Sequence, residues 1–163
     1  MLKRFIGIAV ATLSFAFQLS IGSAAALELN EDIRTVPLNE EGEEVTMSVK
    51  EVQRGKRLFN DACSQCHSTG ITKTNPNVDL SQSDLAGAIP PRDNVMAMVD
   101  YMKNPTSYDG EIDLSDYHPN TKRPDLYPEM RNLTQEELKD IAAHILIQPK
   151  IVGKRWGGGK AYN

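Results

Sequence analysis

The chain has few of several residue types, and these shortages limit what it can be. Its 163 residues include two cysteines, three histidines and one tryptophan, and aromatic residues make up 6% of the total. This length allows one domain, and the low aromatic content indicates a modest core. Both cysteines and one histidine fall within residues 60–70. Any chemistry that cysteine carries here is therefore confined to that segment.

Clustered positive charge is also lacking. The chain has 18 Lys and Arg against 22 Asp and Glu, a net charge of −4. No run of basic residues is present of the kind that follows nucleic-acid phosphates, so we expect no nucleic-acid partner. An acidic surface indicates either a docking site for another protein or simple solubility.

Charge is absent from residues 5–27, which follow Lys3 and Arg4. A basic start, an apolar middle and the small residues before Ala26 are typical of a secretory signal peptide. A retained membrane anchor is the alternative, but polar residues interrupt the apolar run. We therefore expect residues 1–26 to be removed and the mature protein to be exported.

The segment NDACSQCHSTG contains the motif Cys63-x-x-Cys66-His67. A disulfide over this spacing would close a very short loop, and as a redox motif it would follow a strand that the sequence does not show. A zinc site would need a second ligand pair, and the other two histidines stand apart. The adjacent histidine completes the motif for covalent haem attachment. We predict that Cys63 and Cys66 bind one haem c and that His67 is an axial iron ligand.

One predicted helix leads into this motif, and another lies near the end of the chain. A capping box, Ser48-x-x-Glu51, predicts the start of a helix that leads into the motif. Gly55 inside that helix costs about 1 kcal/mol relative to Ala, so we expect another helix to cross it closely. The last helix is the expected partner, because it begins at a second capping box, Thr134-x-x-Glu137, and has apolar residues at helical spacing.

The remaining segments are predicted to be shorter or irregular. Asp93 or Asn94 is expected to cap a middle helix that stops at an Asn-Pro pair, and Pro149 is expected to end the last helix. Residues 103–131 contain four prolines, which predicts a long loop over the distal haem face. Alternating residues near the start of the mature chain predict a short hairpin within residues 27–48.

The helix pattern G-x-x-x-F before the haem motif, with LTQEELKDIAAHIL near the end, resembles the class I cytochrome c family. The resemblance implies that the first and last helices cross at one edge of the haem. We therefore expect a mostly α, class I cytochrome c fold in one domain, residues 27–163, with an N-terminal β-hairpin and long haem-wrapping loops. The segment TNPN resembles the Pro turn of the family, which implies that the Pro76 carbonyl accepts the Nδ1 proton of His67.

Several residues are candidates for the sixth iron ligand. The candidates are Met96, Met98, Met102, Met130, His118 and His144. The methionines of the middle helix are expected to fill core or to lack a ligand context. His144 stands where class I relatives often carry an aromatic residue, so packing is expected. Of the two loop residues, His118 is preferred over Met130, because neutral imidazole binds iron well and the His-Pro pair resembles the Met-Pro pair of soluble photosynthetic carriers.

Six segments together give a closer resemblance: GITKTNPNVDL, PPRDN, VDYMKNPTSYDGE, HP, YPEMRNLT and WGGGKAY. They resemble the extrinsic low-potential cytochrome c subunits of cyanobacterial photosystem II over the whole predicted mature chain. The resemblance implies His67 and His118 as the axial pair, with the haem bound through Cys63 and Cys66. It also implies a peripheral place in the thylakoid lumen, on photosystem II core subunits and other extrinsic subunits. There the protein would stabilise and shield the manganese-calcium cluster without being an enzyme.

Two other functions remain open from the residues alone. A diffusible lumenal or periplasmic electron carrier would use Met130 and have a high potential, and a haem enzyme would need an open distal position. A low-potential bis-histidine haem is poorly matched to a strongly oxidising donor side, so a docked subunit is favoured. In the tail, residues 153–163, the composition alone favours a frayed terminus, whereas the resemblance implies that Trp156 and Tyr162 are interface anchors.

Overall fold

The computed structural model describes residues 29–158, which are rich in helix and contain a small antiparallel sheet. The helices are α1 Glu31–Arg34, α2 Val49–Ala62, α3 Ser64–His67, α4 Gln82–Gly87, α5 Val95–Lys103 and α6 Gln135–Val152. The strands are β1 Thr35–Pro37 and β2 Glu44–Thr46, and 3₁₀ turns lie at Ser68–Gly70, Pro128–Met130 and Gly153–Arg155. Residues 31–158 belong to one compact unit. The predicted fold class is confirmed.

The predicted signal peptide, residues 1–26, lies outside the described residues and stays a prediction. The predicted limits of the domain, 27–163, stay a prediction for the same reason. Within residues 29–158, no helix combines the length and the apolar character needed to cross a membrane.

The predicted hairpin is formed by β1 and β2, which pair with Val36 opposite Val45. The turn is closed by the Leu38 N–H, which donates to the Glu43 carbonyl at 2.7 Å. Val36 is fully buried, whereas the outward side chains of both strands are exposed or half-buried. This alternation gives the hairpin one face against the core.

Side-chain caps begin the three longer helices as predicted. Ser48 Oγ accepts from the Glu51 N–H at 3.3 Å, and Glu51 Oε2 accepts from the Ser48 N–H at 2.7 Å. Thr134 and Glu137 form the same reciprocal pair at the start of α6. Of the two residues proposed to cap α5, Asn94 is the one that does so. These bonds satisfy N–H groups that a helix start leaves without partners.

Helices α2 and α6 cross at Gly55, as the sequence predicted. A Cβ atom on Gly55 would overlap the carbonyl oxygen of Asp140 and lie 3.2 Å from the His144 Cβ. Beside this contact, Arg54 forms an ion pair with Asp140, whose side chain is buried. The two helix backbones therefore meet closely, and the absence of a side chain at Gly55 is what permits it.

The prediction that Pro149 ends the last helix was wrong, because α6 continues to Val152. A proline removes one backbone hydrogen bond and crowds the preceding turn. Here the following turn is held from outside the helix. Lys150 Nζ donates to the carbonyls of Asp32 at 3.1 Å and Thr35 at 2.5 Å. These contacts with the N-terminal segment offset the lost bond.

The prediction that Trp156 is an interface anchor was also wrong. Its side chain is 6% exposed, and its ring lies 5.6 Å from the Phe59 ring and 6.0 Å from the His144 ring, centroid to centroid. Gly70 makes room for it, because a Cβ there would lie 2.7 Å from the indole. Tyr162, the other proposed anchor, lies outside the described residues. Trp156 therefore belongs to the core over the α2–α6 crossing.

His144 has the packing role that the sequence predicted, and burial lowers its pKa from 6.5 to about 4, with nearby Lys56 acting in the same direction. Because the folded pKa lies below the unfolded pKa, its contribution to stability is present above about pH 6.5 and is lost as the pH falls. We expect the unfolding free energy to drop by about 2 kcal/mol more between pH 7 and pH 5 in the wild type than in His144→Phe. Denaturant unfolding at both pH values measures this difference.

Carboxylates titrate in both proteins, so their contribution to the pH dependence of the unfolding free energy cancels in this comparison. Phe at this position keeps an aromatic ring against Phe59 and Trp156, so packing is largely retained. Equal pH dependence in the two proteins would contradict a buried neutral imidazole at residue 144.

Candidate functional site

The predicted site residues line one cavity of about 530 Å³, a size within the roughly 300–1,000 Å³ of ligand and cofactor sites. Cys63, Cys66, His67 and His118 all contribute to its wall. Much of the remaining wall is apolar and includes Phe59, Leu85, Met98, Met102, Leu114 and Ile145. The structure therefore brings together the four residues predicted to attach the haem and to bind its iron.

The two thiols are placed by the end of α2 and the short helix α3. The Cys63 N–H donates to the Phe59 carbonyl at 2.8 Å, and the N–H groups of Cys66 and His67 donate back to the Cys63 carbonyl at 3.1 and 2.9 Å. Both cysteines are free and half-buried. Burial, with a smaller contribution from Glu129, raises the pKa of Cys63 to about 12. The thiols are thus unpaired and sit side by side at the cavity.

The His67 ring is oriented by the segment that follows it. Its Nδ1 donates to the Ile71 carbonyl at 3.2 Å and lies 3.3 Å from Thr72 Oγ1. The predicted acceptor, the Pro76 carbonyl, was therefore wrong. The chain turns back at once after the motif, with Thr69 at a φ of 58°, and this brings Ile71 to the ring first. A proton on Nδ1 leaves Nε2 as the nitrogen with a lone pair for a metal.

His118 is held by a loop that is organised around Asn120. Asn120 is fully buried, and its Nδ2 donates to the carbonyls of Ser115 at 2.8 Å and His118 at 2.7 Å. Its Oδ1 accepts from the N–H groups of Lys122 and Arg123, each at 3.0 Å. Sequence reasoning missed Asn120, although an Asn directly after a Pro is a frequent turn former. One amide therefore fixes the backbone on both sides of the His-Pro pair.

The two histidine rings face each other across the cavity. The ring centroids of His67 and His118 are 6.1 Å apart, with an angle of 50° between the planes. Burial lowers the pKa of both imidazoles, that of His118 to about 4 with a further contribution from His67. His118 Nδ1 donates to the Pro119 carbonyl at 2.9 Å, which leaves its Nε2 without a proton. Both rings are thus neutral, the form that binds metals.

The methionines proposed as alternatives are distributed as the sequence suggested. Met98 and Met102 are buried on α5, and Met96 is 43% exposed and does not line the cavity. Met130 is 2% exposed and does line the cavity, in the 3₁₀ turn before α6. Met130 therefore lies at the cavity wall, where it is an alternative distal ligand. The ring nearest to that of His67, however, is the ring of His118.

Arg92 and Tyr101 also line the cavity, and sequence reasoning missed both. The Arg92 guanidinium carbon lies 4.0 Å from the centroid of the Tyr101 ring. The edge of that ring contacts His118, with 5.0 Å between centroids. Nothing in the spacing of these residues indicates that they meet, because Arg92 precedes α5 and Tyr101 lies near its end.

The residues present fit a covalently attached haem. A porphyrin supplies four nitrogens to its iron, so the protein has to supply only two further ligands. With metal–imidazole bonds of about 2 Å and roughly 1 Å from each nitrogen to its ring centre, two axial rings stand about 6 Å apart. The observed 6.1 Å matches this spacing. Within residues 29–158, no group of three or more His, Cys, Asp or Glu is placed to hold a metal ion by itself.

The fold and this cavity define a class I c-type cytochrome. The model of the cytochrome c-550 domain matches residues 27–163. The chain is 60% identical over 163 residues to photosystem II extrinsic protein V of Aphanothece halophytica, covering 100% of both chains. It is 59% identical over 162 residues to the protein of the same name from Nostoc punctiforme, covering 99% of each. A crystal structure of cytochrome c549 shares 50% identity and superposes with a TM-score of 0.78, covering 79% of this chain and 100% of that one.

The chain belongs to the cytochrome c-550 family. The resemblance found in the sequence is thereby confirmed, and so is a covalently bound haem c as the cofactor. The assignment of individual ligands stays a prediction that the cavity geometry supports.

Proposed function

We propose that this protein is a low-potential, bis-histidine c-type cytochrome that docks on the lumenal side of photosystem II. In this proposal Cys63 and Cys66 hold the haem, and His67 and His118 are its axial ligands. The protein stabilises and shields the manganese-calcium cluster that oxidises water, and its haem retains the ability to transfer electrons.

The observation that carries the ligand assignment is the pair of facing imidazoles, 6.1 Å apart, beside two free thiols. Two histidine ligands give a lower reduction potential than a histidine–methionine pair. With His67 and His118 both bound, the haem iron would have no coordination position open for a substrate, so we propose no enzymatic activity.

Attachment needs only the chemistry of the two thiols. Cys63 and Cys66 would each hold the haem by a thioether bond, the S–H adding across one vinyl C=C with sulfur on one carbon and hydrogen on the other. No oxidant is consumed, and the cofactor supplies one-electron redox chemistry once bound. His67, placed by the same turn, would supply an imidazole nitrogen to the iron, and the Ile71 carbonyl fixes its ring.

The docked position rests on the relatives and on the expected export of the chain. The two relatives described above are named as extrinsic proteins of photosystem II. This chain matches 100% and 99% of their lengths. The expected signal peptide, residues 1–26, would deliver the protein to the thylakoid lumen, where it would be peripheral to the membrane. We propose photosystem II core subunits and other extrinsic lumenal subunits as its partners.

A diffusible electron carrier is the second candidate, because Met130 is buried at the cavity wall. A carrier with Met130 as its distal ligand would have a high reduction potential. It would also remain in solution when mixed with photosystem membranes.

Rebinding to photosystem II tests the proposal. Membranes from a cyanobacterium are stripped of their extrinsic subunits by a high-salt wash, and the purified holoprotein is added back at low salt. We expect the haem to sediment with the membranes, oxygen evolution to rise, and a second high-salt wash to release the protein. A soluble c-type carrier added in the same way is the control. A holoprotein that stays in the supernatant, as the control does, would contradict the docked position.

A further inference from the structure

Arg92 places a positive charge at the cavity without a carboxylate partner. It is half-buried, and burial lowers its pKa. Its Nη2 donates to the carbonyls of Thr106 at 3.0 Å and Ser107 at 2.7 Å, and to Thr106 Oγ1 at 3.3 Å. Arg92 takes part in none of the ion pairs found within residues 29–158. The guanidinium is therefore anchored at one nitrogen, and its charge is not neutralised by the described protein.

The guanidinium is also held from its flat side. Its carbon lies 4.0 Å from the centroid of the Tyr101 ring, a favourable cation–π arrangement. Both side chains line the cavity. The aromatic ring and the two loop carbonyls together fix Arg92 in one place, so little entropy is lost when the remaining donors bind a ligand.

A half-buried cation is stabilised by an anion that binds its unused donors. Within the described residues, Nε and Nη1 of Arg92 have no hydrogen-bond acceptor. These two nitrogens lie on different edges of the guanidinium, so each can donate to one oxygen of an anion such as a carboxylate. The haem that belongs in this cavity carries two propionate carboxylates, and neither can be left unpaired in an apolar cavity without a cost.

We propose that Arg92 is a haem-binding residue whose guanidinium donates to a propionate carboxylate of the haem. Tyr101 and the Thr106–Ser107 backbone hold the guanidinium in place for that contact. The inference rests on the haem of the proposed function and is independent of which residue is the distal ligand. The Arg92 charge would also raise the reduction potential, because a cation near the iron disfavours the ferric state.

The reduction potential of the Arg92→Gln holoprotein tests this. Removing the cation and exposing the carboxylate charge both stabilise the ferric state, so we expect the potential to fall. The expected size is a tenfold shift in the ferric/ferrous ratio, about 59 mV for a one-electron couple. Arg92→Lys keeps the charge and is expected to restore at least half of this shift. A merely structural role in holding the 106–107 loop would lower the melting temperature and leave the potential unchanged.

Arg131→Gln is the matched control. Arg131 also donates from its guanidinium to a loop carbonyl, that of Pro124, but it is exposed and does not line the cavity. The Arg131→Gln substitution removes the same charge as Arg92→Gln, and we expect the reduction potential of this variant to equal that of the wild type. A fall as large as that of Arg92→Gln would overturn the proposal, since it would reflect net charge alone.

A second measurement applies if Arg92→Gln yields no holoprotein. The infrared carboxylate stretch of isotopically labelled haem propionates is compared between the wild type and Arg92→Lys. The hydrogen bond from a guanidinium N–H, whose charge is spread over three nitrogens, differs in strength from that of the compact ammonium, so we expect the band to shift. An unchanged band would overturn the proposal. The axial ligand is read separately from the ferric spectrum, so a failure of the His118 assignment is distinguishable from a failure of the Arg92 assignment.

Discussion

His118→Met is expected to raise the reduction potential while the haem stays covalently attached. Thioether sulfur stabilises the ferrous state more than imidazole does, so the rise should be on the order of 0.1 V or more, within the roughly 0.8 V over which axial ligands set haem potentials. The ferric protein should also gain the weak far-red band of methionine–iron ligation. Redox titration and the ferric absorption spectrum measure both effects, and the mass of the protein reports attachment.

Met130→Leu is the control for this prediction. Met130 is the other buried loop candidate at the cavity, and Leu conserves most of its volume. We expect its potential and ferric spectrum to match those of the wild type. An unchanged potential in His118→Met, together with a changed one in Met130→Leu, would reverse the ligand assignment.

Gly55→Ala is expected to cost about 3 kcal/mol of unfolding free energy, toward the upper end of the effects of overpacking. The added methyl would overlap the Asp140 carbonyl, a backbone atom that moves only if α6 moves. Moving α6 would also disturb the ion pair of Arg54 with Asp140. The roughly 1 kcal/mol that Ala gains over Gly in a helix is too small to offset this. Denaturant unfolding of the holoprotein measures the change.

Gly158→Ala is the matched control. Gly158 is exposed, and a Cβ there would lie no closer than 3.7 Å to its nearest neighbour. We expect its stability to equal that of the wild type within experimental error. A Gly55→Ala protein as stable as this control would show that the α2–α6 crossing tolerates a side chain.

Features set by neighbouring residues could be predicted from the sequence. The capping boxes at Ser48 and Thr134 depend on contacts three residues apart, and both are present. The haem motif is equally local, and its cofactor is confirmed. The close crossing at Gly55 was also predictable, because a glycine inside a helix carries a cost that only a packing contact explains.

Features that depend on contacts distant in sequence could not be predicted. Pro149 does not end α6, because Lys150 holds the next turn to the N-terminal segment. Trp156 is buried against α2 and α6, although a glycine-rich tail indicated exposure. The position of Arg92 over Tyr101 depends on the path of the loop between α4 and α5. His67 and His118 were predicted as the two axial ligands; their rings lie 6.1 Å apart at the cavity, and their ligation stays a prediction.

The reduction potential of the purified mature protein, measured together with its ferric absorption spectrum, tests the central claim most directly. The facing imidazoles of His67 and His118 predict a low potential and no far-red methionine–iron band. A high potential with that band would contradict the claim. It would assign the distal position to a methionine, Met130 first, and make a diffusible electron carrier the better account of the protein.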